Sequence, residues 1–172
     1  MFSRKRILLA AVGIAGIGAL TVAADRAIAA QATATTNATI VTPIAISNVN
    51  SLEFGKVAAG TASSVVRISS AGARSLVSGD ATLVSGGTIQ AASFSVTGEA
   101  STGYAITLPS SITISAGANN MTVNTFTDSK GGTSTLDGTG NDTFTVGADL
   151  TVGASQAAGA YTGTFNVTVN YN

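Results

Sequence analysis

The chain has 172 residues, a formal net charge of zero, and only 9% charged against 45% hydrophobic residues. It contains no Cys, His or Trp, which removes disulfides, thiol nucleophiles, thiolate or imidazole metal sites and every histidine-based triad. With charge this sparse there is no basic footprint for nucleic acid and no polybasic patch for a membrane surface.

The chain opens with a basic stretch, Arg4-Lys5-Arg6, followed by 18 apolar or small residues from Ile7 to Ala24. Asp25 and Arg26 come next, then Ala27-Ile28-Ala29, a small-x-small cleavage pattern. This reads as a cleaved secretory signal over residues 1–29, with a mature start at about Ala30. The alternative is a permanent transmembrane anchor, since the apolar run just matches a bilayer core of about 30 Å. Removal of the leader leaves seven acidic against four basic residues, a net charge of −3. The remaining 143 or so residues suffice for one core. Without Cys, stability in an oxidising compartment has to come from packing and backbone pairing.

Period-two alternation dominates the rest, and helical periodicity is nearly absent. Ala32, Ala34, Thr36, Ala38, Ile40, Thr42, Ile44 and Ile46 form one face of a long extended segment, with Thr33, Thr35, Asn37 and Thr39 on the other. Pro43 cannot donate to a ladder and is expected at an edge or a change of sheet. Strands are predicted at Leu52–Phe54, Ser64–Ser69, Arg74–Val77, Phe94–Thr97, Tyr104–Leu108, Ile112–Ser115, Met121–Phe126, Thr143–Val146 and Leu150–Val152. The clearest runs from Tyr161 to Tyr171, where Tyr161, Gly163, Phe165, Val167, Val169 and Tyr171 alternate with Thr and Asn. Short strands joined by Gly-rich turns predict an all-β antiparallel β-sandwich with Greek-key links. A single closed barrel is the alternative; a transmembrane barrel is disfavoured by short strands and the lack of an aromatic girdle.

Few residues could carry chemistry. Asp137 and Asp142, in the turn Asp137-Gly138-Thr139-Gly140-Asn141-Asp142 with Asp128 upstream, are weak candidates for Ca²⁺. The turn matches no full calcium-loop signature, and Asp, Gly and Asn are ordinary turn formers. The scattered acids, of which only Glu53 and Glu99 lie beside strands, do not suggest a glycosidase pair. Ser85-Gly86-Gly87 has no following helix to cradle phosphate. Neither enzyme activity nor a cofactor is expected, and metal candidates end with those two aspartates. Sequons such as Asn37-Ala38-Thr39 are expected by chance in so Thr-rich a chain.

Two features stand above this background: the amphipathic segment Ala32–Ile40 preceding the other strands, and the strand Tyr161–Tyr171. Both fit ordinary edge strands of a complete sandwich. They also fit a donor strand that adds to the open edge of a neighbouring subunit, backbone bonds giving affinity and alternate side chains filling pockets.

Ala38-Thr-Ile-Val-Thr-Pro-Ile-Ala-Ile46, Leu52-Glu-Phe-Gly-Lys-Val-Ala-Ala-Gly-Thr61, Phe94-Ser-Val-Thr-Gly-Glu99, Tyr104-Ala-Ile-Thr-Leu-Pro109 and the run from Leu150 to Tyr171 resemble the bacterial family named domain of unknown function 4402. The tail is also similar to subunits of archaic chaperone–usher pili and to spore-coat-U-like proteins. That resemblance implies an incomplete immunoglobulin-like sandwich, held by a periplasmic chaperone and assembled at an outer-membrane usher by donor-strand exchange. It implies a signal peptide over 1–29, a donor extension over 30–41 and a sandwich domain over 42–172. Ala32, Ala34, Ala38 and Ile40 would be the donor knobs. Phe165, Val167, Val169 and Tyr171 would edge the acceptor groove and pair with the chaperone. The product would be a surface fibre or coat of a Gram-negative-type bacterium, built from copies of the chain or related subunits, with no nucleic acid and no membrane segment after cleavage. A self-complete secreted sandwich acting as an adhesin or carbohydrate-binding module is the competing expectation. Each Ile knob replaced by Ala forfeits roughly 2 kcal/mol of apolar burial, so a donor reading requires shallow pockets or a backbone ladder that bears most of the affinity.

Overall fold

The computed structural model describes residues 29–172, so the signal peptide expected over 1–29 lies almost wholly outside the described residues. Residues 29–38 belong to a first unit and carry no regular secondary structure. The second unit, Thr39–Asn172, holds all twelve strands. They are β1 (Ala45–Asn50), β2 (Glu53–Ala58), β3 (Ser64–Ile68), β4 (Arg74–Ser78), β5 (Thr82–Gln90), β6 (Ala92–Thr97), β7 (Gly103–Thr107), β8 (Ser111–Ala116), β9 (Asn119–Asp128), β10 (Thr133–Thr135), β11 (Asn141–Val152) and β12 (Thr168–Tyr171). The described residues contain no helix. Every strand pairing is antiparallel, and the sheets face one another in a sandwich-like arrangement, as the alternation predicts.

The central strand is β11. Its first half, Asn141–Val146, pairs with β6, and its second half, Ala148–Val152, pairs with β3 while β9 runs along it from Val146 to Thr151. The exchange of partners occurs at Gly147, where a Cβ would overlap the carbonyl of Ile68. A glycine is therefore required for the two backbones to cross this closely. On the β9 side the ladder skips between Gly147 and Asp149. Thr125, beside that skip, takes φ 51°, a left-handed conformation that few β-branched residues adopt. The resulting sheet has the order β1-β6-β11-β3-β4, with β9 and then β8 attached through β11.

Two apolar clusters follow. The first lies between this sheet and a three-stranded sheet, β10-β7-β12. It joins Ala92, Phe94 and Val96 of β6 with Tyr104, Ile106, Leu136, Phe144, Val146 and Val169. Phe94 and Phe144 sit directly opposite in the ladder with ring centroids 5.3 Å apart and stacked. The second cluster joins Val66, Val123, Ala148, Leu150 and Val152. The two-stranded sheet β2-β5 covers it only in part.

Three boundaries differ from the sequence expectation. The long N-terminal strand is absent: nothing between residues 29 and 44 is in a strand, and pairing begins at Ala45 opposite Thr97. Thr143–Val146 and Leu150–Val152 are one strand of 12 residues, since the glycine between them is a crossing point and not a turn. Tyr161–Tyr171 is a strand only from Thr168 onward, with Thr162 making an isolated bridge to Ser115. Two strands, β5 and β10, had no sequence signal; β5 contains Ser85-Gly86-Gly87, which reads as a turn and here forms a wide bulge opposite Gly55.

Candidate functional site: an open apolar groove

The second cluster is left open along a groove of about 1070 Å³. Its floor is apolar: Val123, Leu150 and Val152, with half-buried Ile112, Ile114 and Met121. One wall is β2 and its flanks, from Leu52 to Ala59. The other is the chain from Ser155 to Phe165. Small residues line both rims: Ala58 and Ala59 on one, Ala157, Ala158, Gly159 and Ala160 on the other.

The groove is wide open because of missing backbone pairing. β2 pairs with β5 and with no other strand among the described residues. Opposite, Gly163–Asn166 makes no hydrogen bond among the described residues, and Phe165 is held by its ring alone, 5.0 Å from Phe126 and 6.1 Å from Phe94. The result is an apolar trough flanked by two backbone edges whose hydrogen-bonding groups find no ladder partner among the described residues.

β2 is fixed by an unusual device. Between Phe54 and Lys56 its ladder to β5 skips from Ile89 to Val84. Into that gap Arg74 of β4 sends its guanidinium, Nη1 donating to the carbonyls of Phe54 (2.9 Å) and Lys56 (3.0 Å) and Nη2 to that of Val84 (2.9 Å). A Cβ on Gly55 would collide with the guanidinium, so Gly55, at φ 70°, is required at this bulge.

Of the four residues expected to edge the acceptor groove, only Phe165 lines it. Val167 packs against the first cluster, Val169 is buried within it, and Tyr171 pairs with Tyr104 of β7. Tyr171 instead does something the sequence did not signal. Its hydroxyl donates to the Thr42 carbonyl (2.7 Å) and accepts from the Glu99 amide (2.6 Å), while the Glu99 carboxylate accepts from the Thr42 amide (2.9 Å). The Thr42 amide bond holds the Glu99 carboxyl below its ordinary range. Among the expected donor knobs, Ala32, Ala34 and Ala38 lie in the segment without secondary structure, and Ile40 is 97% exposed.

Asp137 and Asp142 are committed elsewhere. Asp137 closes its own turn, accepting from the amides of Asn141 and Thr139 and the Thr139 hydroxyl, which lowers its pKa. Asp142 is taken up by Tyr104 Oη (2.9 Å), Ser134 Oγ (2.6 Å), Lys130 Nζ (2.9 Å) and the Thr143 amide (2.7 Å). Burial opposes its charge, but the bonds from Ser134, Lys130, Tyr104 and Thr143 prevail and hold the carboxyl at about 2. Burial and then Asp142 push the Tyr104 hydroxyl up to about 12. No group of three or more metal-ligating side chains occurs among the described residues.

An all-β antiparallel sandwich with an open apolar groove is thus the class of protein the geometry defines. The chain belongs to the family described as Domain of unknown function (DUF4402), whose model matches residues 44–171. No curated protein and no solved structure matches.

Proposed function

We propose that the chain is an exported structural subunit, with an incomplete immunoglobulin-like sandwich, that assembles into a surface fibre or coat by donor-strand exchange. The open groove accepts the N-terminal extension, residues 30–41, of a second copy or a related subunit. The observation that carries this reading is the pairing deficit around the groove: apolar core residues form its floor while the backbones of β2 and of Gly163–Asn166 lack ladder partners.

The extension matches in chemistry and length. Its apolar face, Ala32, Ala34, Ala38 and Ile40, recurs every second residue, and in strand conformation residues 32–40 span about 30 Å against about 20 Å for β2. Small knobs and small rims bring the incoming backbone close, so ladder bonds carry more of the affinity than side-chain burial.

Reach favours a neighbour's groove over the chain's own. Thr42 is pinned beyond the far end of β1, and β1 runs from there toward the groove mouth at Asn48 and Phe94. To enter its own groove the extension would have to retrace about 20 Å, half of the roughly 40 Å that residues 30–41 can span. An unfilled groove is an aggregation hazard, which is why a periplasmic chaperone and an outer-membrane usher belong to this reading.

The test is light scattering on the chain from residue 30, with and without residues 30–40. Polymers from the longer form, and a monomer that a peptide of residues 31–41 stabilises from the shorter, are expected. Two equally stable monomers that ignore the peptide would sink the reading and turn attention to the loops as a binding surface.

A further inference from the structure

The stretch Thr162–Asn166 is coded as a strand and is not one. Tyr161–Tyr171 alternates without a break, yet only Thr168–Tyr171 is in a ladder. Its neighbour on the other side is unpaired on one edge: β8 pairs with β9 along its whole length, and its second edge meets only Thr162 among the described residues. That single contact already has strand geometry. Thr162 and Ser115 exchange both backbone bonds, Ser115 N to Thr162 O at 2.9 Å and Thr162 N to Ser115 O at 3.0 Å.

A doubly bonded antiparallel pair fixes the register of everything beyond it. Continued from Thr162–Ser115, it sets Gly163 against Ile114, Thr164 against Thr113 and Phe165 against Ile112. Gly163 is in place for this, since a Cβ on it would lie 2.8 Å from the Thr113 carbonyl and 3.2 Å from the Ile114 Cα. The amides of Thr164 and Asn166 then face β8, and those of Gly163 and Phe165 face the groove. At present none of the four makes a hydrogen bond among the described residues. With one side of the strap still in water, the few bonds gained on β8 do not repay the ordering of its backbone.

We infer that Thr162–Asn166 is a conditional strand, which closes onto β8 in the register set by Ser115–Thr162 when a strand occupies the groove, and which supplies the backbone edge that strand pairs with. This rests on the acceptor reading of the groove and adds to it: the rim completes its own fold only together with its occupant. The occupant is the extension of a second copy, for which a peptide of residues 31–41 stands in.

Amide hydrogen exchange on the chain from residue 41, the form whose groove no neighbouring extension can fill, with and without excess labelled peptide of residues 31–41, tests this while fluorescence polarisation follows binding. The amides of Gly163 to Asn166 are expected to slow at least tenfold on binding. Peptide that binds and leaves them unchanged overturns the conditional strand and spares the acceptor reading; peptide that does not bind overturns both. Thr164→Pro deletes the central bond to β8. It is expected to weaken peptide binding about tenfold with the melting temperature of the free chain unchanged, while Thr164→Val, which keeps the amide, binds like the parent. A Thr164→Pro chain that binds at parental strength, or melts lower without peptide, overturns the inference.

Discussion

Tyr171 donates its hydroxyl to the carbonyl of Thr42 at 2.7 Å, across a separation of 129 residues. With the Glu99 carboxylate on the Thr42 amide, this gives Thr42 both of its backbone bonds although it lies in no strand. The root of the N-terminal extension is thereby tied to the last strand by side chains in place of a ladder. Gly98 makes room for it, since a Cβ there would overlap the Tyr171 hydroxyl.

Tyr171→Phe removes both bonds of the hydroxyl and leaves the Thr42 carbonyl and Glu99 amide to water. A loss of about 1–2 kcal/mol in urea unfolding is expected. Gly98→Ala, which pushes the same hydroxyl out by steric overlap, should lose a similar amount. A Tyr171→Phe chain of parental stability would show that the clamp contributes nothing to the fold.

The pH profile follows from Asp142 and Tyr104. The Asp142 carboxyl is depressed from 3.8 to about 2, so its contribution is complete above pH 3.8 and disappears as pH falls to 2. Allowing for the partial exposure of Lys130, that contribution is about 1–2 kcal/mol. Glu99, Asp80 and Asp137 are also depressed and steepen the same acid limb. Tyr104 is raised from 10 to about 12, so its contribution is complete below pH 10 and lost as pH rises through 12. Unfolding free energy should therefore be flat from about pH 5 to 10 and fall on both sides. In Asp142→Asn the acid fall should shrink.

Arg74→Ala deprives three carbonyls of a charged donor at the bulge between β2 and β5. A cost of about 2–3 kcal/mol is expected. Amide exchange should quicken first at the edges of the β2–β5 ladder, because that two-stranded sheet pairs with no other strand among the described residues. Arg74→Lys should not rescue it, since a point-like ammonium cannot reach across the fork. Uniform quickening over the whole sandwich would refute the local role.

Arg67 holds the carboxylate of Asp149 through both oxygens, at 2.6 and 2.7 Å. The two ends differ in exposure: the Arg67 side chain is 45% exposed and that of Asp149 only 8%. Arg67→Ala strands a buried carboxylate, whereas Asp149→Ala leaves a guanidinium that water can solvate. Arg67→Ala should thus be the more destabilising of the two in parallel melts; the reverse order would mean that Asp149 contributes through packing.

The alternation of Phe94 and Val96 or of Val66 and Ile68 made the strands and their buried faces legible, because a side-chain period of two depends on the local backbone alone. Gly147 misled for the same reason. As a lone glycine between two apolar runs it resembles a turn, and only the close approach of Ile68 makes it the crossing point of one long strand. Phe165, Val167, Val169 and Tyr171 were expected along one edge, yet Val167, Val169 and Tyr171 pack against the first cluster and β7, while the apolar groove lies between β2 and Ser155–Phe165.

Composition and periodicity by themselves determined an all-β sandwich without histidine or thiol chemistry, and they singled out the alternation of Ala32–Ile40 and of Tyr161–Tyr171. Which backbone edges go unpaired was decided by the tertiary structure alone. Pairing depends on where β8, β2 and Arg74 are brought by residues far away in the chain, and an edge is open or closed according to those neighbours and not according to its own sequence.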